Sequence, residues 1–116
     1  MPTYKDNRPD FDTPVEITAK DAEGHVIKNA PIPAGFRLAV ASDNNDCFSV
    51  TQDAGDARLL HCHVGGPNED GSPSQAIVTA GLFDTADNLV ATGADQVTVT
   101  VGDPAEITEI KLNLPA

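Results

Sequence analysis

The feature that most constrains the fold of this chain is a series of short segments in which apolar and polar residues alternate. The clearest example is Val97-Thr98-Val99-Thr100-Val101. A period of two is expected of a β-strand that buries one face. About seven or eight such segments, with turn signals every ~8–12 residues, predict an all-β fold of short antiparallel strands in a β-sandwich. No segment shows a sustained helical period.

The predicted strands begin after Pro14 and are separated by turns rich in Asp, Asn, Gly and Pro. One segment, 76–83, is almost continuously apolar, which predicts a central strand covered on both faces. The predicted strands of the sandwich cover residues 15–20, 25–27, 36–40, 48–50, 60–64, 76–83, 89–91 and 97–101, and a further strand covers 109–114.

The two ends of the chain differ from the predicted sandwich at residues 14–102. Residues 1–13 are polar, contain two prolines and lack periodicity, so we predict an extended arm that Tyr4 and Phe11 could anchor. Residues 103–116 are predicted to add one further strand, in which Ile110, Leu112 and Leu114 share a face. This strand either closes its own sheet or is donated to the sheet of a neighbour.

Size and charge limit the classes of function. At 116 residues the chain fits one domain. Its 18 acidic and 7 basic residues give a net charge of −11, which argues against nucleic acid and anionic membranes as partners. The chain has no apolar run of the ~20 residues that a membrane span needs. Its N-terminus lacks the apolar stretch of a signal peptide, so we expect cytoplasmic synthesis.

Three segments resemble the immunoglobulin-like domains of bacterial adhesins and of phage capsid and tail proteins. They are the strand and D-x-x-G turn at 15–24, the strand that runs into Ser42-Asp43, and the late strand at 97–102. The resemblance covers roughly residues 14–102 and implies a β-sandwich with a structural or binding role and no catalysis. The chain lacks the tryptophan usual in the second strand of many such domains, and residues 105–114 run past their usual end.

The two cysteines are predicted to be free thiols. If Phe48 and Val50 point inward, Cys47 points outward, whereas Cys62 points inward with its neighbours Leu60 and Val64. Side chains on opposite faces do not reach the Cα separation of ~4.4–6.8 Å that a disulfide needs, unless a bulge redirects one of them. Free thiols fit synthesis in a reducing compartment.

No motif indicates catalysis, a cofactor or a metal. His61 and His63 share one strand face and Cys62 the other, so the cluster offers two imidazoles where a structural zinc site needs four ligands. The acidic turns lack the spacing of a helical calcium loop, and Asp and Asn are common turn residues. The chain also lacks nucleophile-elbow and phosphate-loop motifs. We therefore expect a protein that is not an enzyme.

The preferred function is a structural module of a virion that docks on a capsid or tail protein through its terminal arm or a sheet edge. The extra strand with Ile110, Leu112 and Leu114 is then the candidate docking strand, and it allows a homo-oligomer formed through an edge. The alternative is an adhesin module of a larger bacterial surface protein, which binds a protein or a cell-surface glycan. Its candidate binding surface is the loop at 65–74, with Asn68, Glu69 and Asp70.

Overall fold

A computed structural model describes residues 2–102 together with Leu112 and Leu114. These residues form an all-β structure and contain no helix. The nine strands are β1 (Thr3–Lys5), β2 (Phe11–Pro14), β3 (Ala19–Lys20), β4 (Val26–Ile27), β5 (Arg37–Ser42), β6 (Phe48–Gln52), β7 (Leu59–Val64), β8 (Ser74–Phe83) and β9 (Leu89–Thr100).

The strands form two main sheets and one small hairpin. The four-stranded sheet has the order β1-β9-β8-β5, in which β1 runs parallel to β9 and the other pairs are antiparallel. The three-stranded sheet has the antiparallel order β2-β7-β6, and β3 pairs with β4. The inner faces of the two main sheets enclose one core, which consists of Cys47, Phe48, Leu60, Cys62, Val64, Ala76, Val97 and Val99.

Several local predictions are confirmed. The alternation at β7 buries Leu60, Cys62 and Val64 and exposes the two histidines between them. The turn after Lys20 is closed by the Asp21 carboxylate, which accepts backbone N–H groups of residues 23 and 25, while Gly24 takes the positive φ of 85°. The turn between β8 and β9 is built in the same way by Asp84.

The N-terminal segment differs from the predicted extended arm, because it supplies a strand to each main sheet. β1 pairs with the end of β9, and β2 pairs with β7. Tyr4 and Phe11 hold the segment through ring contacts with Phe48, at centroid separations of 5.7 and 6.2 Å. The sequence hid these strands because each is only three or four residues long, and their pairing partners are distant in the chain.

The prediction that β8 is covered on both faces is wrong. β8 does lie inside its sheet, between β9 and β5. Its inner face is buried at Ala76, but the opposite face leaves Gln75, Ile77 and Thr79 exposed. The apolar run therefore reflects an apolar outer surface, with Ile77 46% exposed, rather than a second covering layer.

The predicted outward orientation of Cys47 is also wrong, because its side chain is 1% exposed and belongs to the core. Cys47 precedes β6 and lies in a turn, where its N–H donates to the carbonyl oxygen of Asn44 at 3.2 Å. The alternation of a strand does not extend into a turn, so the argument from Phe48 fails there. Both cysteines are nevertheless free thiols, as predicted.

Candidate functional site

β9 has an open edge. The N–H of Thr98 donates to the carbonyl oxygen of Pro2 at 3.0 Å, so the backbone groups of even-numbered β9 residues point away from β8. β1 pairs only with Thr98–Thr100. In the part of the chain that the structure describes, no strand pairs with this side of β9 at Thr92, Ala94 and Gln96. These three residues are named here the open β9 edge.

An apolar groove lies beside this edge, between residues 15–18 and the inner faces of β5, β8 and β9. Val97 and Val99 are buried on the inner face of β9, but Ala91, Gly93 and Asp95 on the same face are exposed. The groove has a volume of about 350 Å³. Its apolar lining is formed by Val15, Ile17, Leu38, Ala80, Leu82 and Ala91, with Gly93.

The predicted docking strand lies outside the described residues, except for Leu112 and Leu114. These two side chains are 79% and 81% exposed. They are the most exposed of the large apolar side chains in the described part of the chain. The two leucines are two residues apart, which is the spacing of one strand face, and their docking role stays a prediction.

The outer face of the three-stranded sheet carries a second feature, an acidic surface around two histidines of β7. His61 Nδ1 lies 2.7 Å from Asp12 Oδ1, and its Nε2 lies 2.9 Å from Asp53 Oδ1. His63 Nδ1 lies 2.6 Å from Asp10 Oδ1. An open depression of about 530 Å³ lies over these residues, with Ser49 and Thr51 of β6 in its lining.

The two carboxylates around His61 favour its protonated form. Carboxylates only accept hydrogen bonds, so both ring nitrogens must carry a proton to donate to both of them. The hydrogen bond to Asp12, followed by that to Asp53, raises the pKa of His61 above 6.5. The His61 contact in turn lowers the pKa of Asp53. These pairs connect β2 to β7 and β7 to the turn after β6.

The described side chains of this acidic surface are not grouped as metal ligands, and Cys62 faces away from the histidines. Among residues 2–102, Leu112 and Leu114, no group of three or more His, Cys, Asp or Glu side chains is arranged to hold a metal ion. Cys62 lies between the histidines in sequence, but its side chain is buried on the opposite face of the sheet. Burial also raises the pKa of the Cys62 thiol, which disfavours the reactive thiolate.

The loop at 65–73 is exposed at Asn68, Glu69 and Asp70, as predicted, and it is organised by its own hydrogen bonds. The Asn68 side-chain amide donates to Ser72 Oγ at 3.1 Å, and the Asp70 carboxylate accepts from Ser72 N and Oγ. The bonds from Ser72 lower the pKa of Asp70. The contacts account for the shape of the loop, and its binding role stays a prediction.

Sequence reasoning proposed a docking strand at Ile110, Leu112 and Leu114, which stays a prediction, and it did not predict the open β9 edge. The prediction of two separate strands at 89–91 and 97–101 is wrong, because β9 is one continuous strand from Leu89 to Thr100. The polar and small residues between them gave no alternating signal. Pairing with β8 stabilises residues 91–96, and the sequence of one strand does not show which strand will pair with it.

No protein-family model matches the chain, and neither do any of the curated proteins or solved structures with which it was compared. The residues that the structure describes include no helix that is long and apolar enough to cross a membrane.

Proposed function

We propose that this chain is a structural module, not an enzyme, that has an immunoglobulin-like β-sandwich and docks on a capsid or tail protein of a phage particle. The docking element is a sheet edge, so the partner contributes a β-strand. The open β9 edge carries this proposal, because no strand among the described residues pairs with the outward backbone groups of these three residues.

The geometry of the edge supports strand addition. Thr92, Ala94 and Gln96 offer N–H and C=O groups at the regular spacing of a strand. Natural proteins usually protect such an edge by covering it, shortening it or placing charges on it. No charged side chain occurs among these three residues, and the charge of Asp95, which lies between two of them, is on the inner face. The apolar groove reaches the edge at Thr92. An edge with an adjoining apolar groove matches the recognition of an extended segment through its backbone and alternate side chains.

The phage setting comes from the resemblance of residues 14–102 to immunoglobulin-like domains of phage and adhesin proteins. The all-β architecture, with two sheets around one core, fits that resemblance. The non-enzymatic part of the proposal is supported by His61, because both of its ring nitrogens are engaged by carboxylates. A general base must instead be free to reach a proton of its substrate.

The test is a comparison of particles produced in cells that carry the gene for wild-type chain, Ala94→Pro or Ala94→Ser. Proline removes the outward N–H of residue 94, and an edge strand tolerates proline where that N–H faces solvent. Serine keeps the N–H and is the matched control. We expect wild type and Ala94→Ser to co-purify with particles in equal amounts, as measured by mass spectrometry, and Ala94→Pro to be depleted.

Two results would contradict the proposal at different points. Absence of the wild-type chain from purified particles would remove the viral setting. Equal amounts of folded Ala94→Pro and wild type on particles would show that docking does not use the open β9 edge. Thermal unfolding of each purified variant establishes that it is folded.

A further inference from the structure

We propose that residues 110–114 of one copy of this chain add as a β-strand to the open β9 edge of a second copy. Their apolar side chains then occupy the apolar groove of that second copy. This inference rests on the proposed function, since it uses the same edge. In a row of copies joined in this way, the last open β9 edge is left for the strand of the capsid or tail protein.

The backbone lengths match. The segment from Thr92 to Gln96 spans about 13 Å at ~3.3 Å per residue, and five donated residues have the same span. Outward backbone groups at residues 92, 94 and 96 alternate with groups that pair with β8. A strand added here therefore completes a ladder of ordinary sheet hydrogen bonds.

The side chains match as well. An added strand that places Ile110, Leu112 and Leu114 on the inner face would turn Lys111 and Asn113 toward water. On that inner face, β9 offers the small residues Ala91 and Gly93 beside the groove, and Asp95 lies further along toward β1. A Cβ placed on Gly93 would meet no atom within 4 Å, so there is open space at the position that a large neighbour would use.

The donor brings exposed apolar surface and the complementary charge. Leu112 and Leu114 are 79% and 81% exposed, and their burial in the groove is favoured by the hydrophobic effect. Residues 110–116 contain one charged side chain, the cation Lys111. The acceptor belongs to a chain with a net charge of −11, so a segment without acidic side chains meets little electrostatic repulsion there.

The path of the chain favours a second copy over the donor's own edge. The N–H of Gly102 donates to the Asp6 carboxylate at 2.7 Å, so the chain leaves β9 at the end where β1 covers the edge. Returning from residue 102 to Gln96 takes about 20 Å. The seven residues 103–109 reach at most ~25 Å, and they would also have to pass around β1. An intramolecular strand would therefore use about four fifths of this reach before the detour around β1, whereas a strand from a second copy has no such constraint.

The test is disulfide cross-linking between full-length variants that differ in mass through a tag. One variant carries Thr92→Cys or Ala94→Cys, and the other carries Asn113→Cys. A control pairs Asn113→Cys with Thr79→Cys, which is exposed on the same outer face but one strand further in, about 9–10 Å from an added strand. A disulfide needs Cα atoms within ~4.4–6.8 Å, so the control should give only background product. The native Cys47 and Cys62 are buried and do not compete.

We expect the mixed-mass product from an edge variant and Asn113→Cys, several-fold above the Thr79→Cys control, and its loss when a synthetic peptide of residues 105–116 is added in excess. Mixed product no higher than the control would overturn the inference. So would a Thr92→Cys/Asn113→Cys double variant that forms only intramolecular disulfide at every concentration. Both of these results are measured on purified protein. They are therefore distinct from the result that would contradict the proposed function, which is the absence of the chain from purified particles.

Discussion

His61 is the residue whose surroundings most clearly predict a response to pH. Its two ring nitrogens lie 2.7 and 2.9 Å from carboxylate oxygens of Asp12 and Asp53. The neutral ring has one N–H and can donate to only one of them, so deprotonation removes a hydrogen bond and its charge assistance. Because Asp12 belongs to β2, the charge on this histidine affects how firmly the N-terminal segment is held.

We predict that His61 titrates above 6.5, as followed by NMR of its ring protons. A raised folded-state pKa means that its contribution to stability is fully present below about pH 6.5 and is lost as the pH rises through the raised value. Asp12→Asn should lower the titration midpoint more than Asp53→Asn, because the Asp12 hydrogen bond is the larger cause. A midpoint at or below 6.5, or one that Asp12→Asn leaves unchanged, would contradict this assignment.

At the scale of elements, the two sides of β9 differ in their backbone hydrogen bonds. One side pairs with β8 along the strand, and the other pairs with β1 only at Thr98–Thr100. Odd-numbered residues from Gly93 to Val99 direct their backbone groups to β8, and even-numbered residues direct theirs to β1 or, ahead of Thr98, to the open edge. Among the nine strands that the structure describes, β9 is also the longest, at 12 residues. A long strand with half of its outer edge unpaired presents a template for another strand.

Amide hydrogen exchange should reproduce this alternation. In dilute protein, the amides of Thr92, Ala94 and Gln96 should exchange faster than those of Gly93 and Asp95, because only the latter donate within the sheet. At high concentration the three fast amides should gain protection. Uniform protection along β9 in dilute protein would show that the edge is already covered.

The elements also show how far sequence reasoning reaches. β7 was predictable because its alternation of buried and exposed residues is complete. The N-terminal strands were not, because they are short and their stability comes from pairing and from aromatic contacts with Phe48, which lies more than 30 residues away in the chain. Cys47 was misplaced because a turn ends the period of two. The docking strand could be proposed from its pattern, but its acceptor required the sheet order.

At the scale of the whole molecule, charge opposes association and the C-terminal segment favours it. Copies that each carry a net charge of −11 repel one another, and salt screens this repulsion. Insertion of Leu112 and Leu114 into a groove removes apolar surface from water and depends much less on salt. Association through the proposed strand should therefore strengthen as the ionic strength rises.

The most direct test is the mass of the full chain in solution, measured by light scattering over a range of concentrations at low and high salt. The variants are Leu112→Asp and its matched control Asn113→Asp, which adds the same charge on the other face of the proposed strand. We predict that wild type and Asn113→Asp associate with rising concentration and salt, whereas Leu112→Asp remains a monomer. A monomeric wild type throughout, or Leu112→Asp that associates like wild type, would contradict the account.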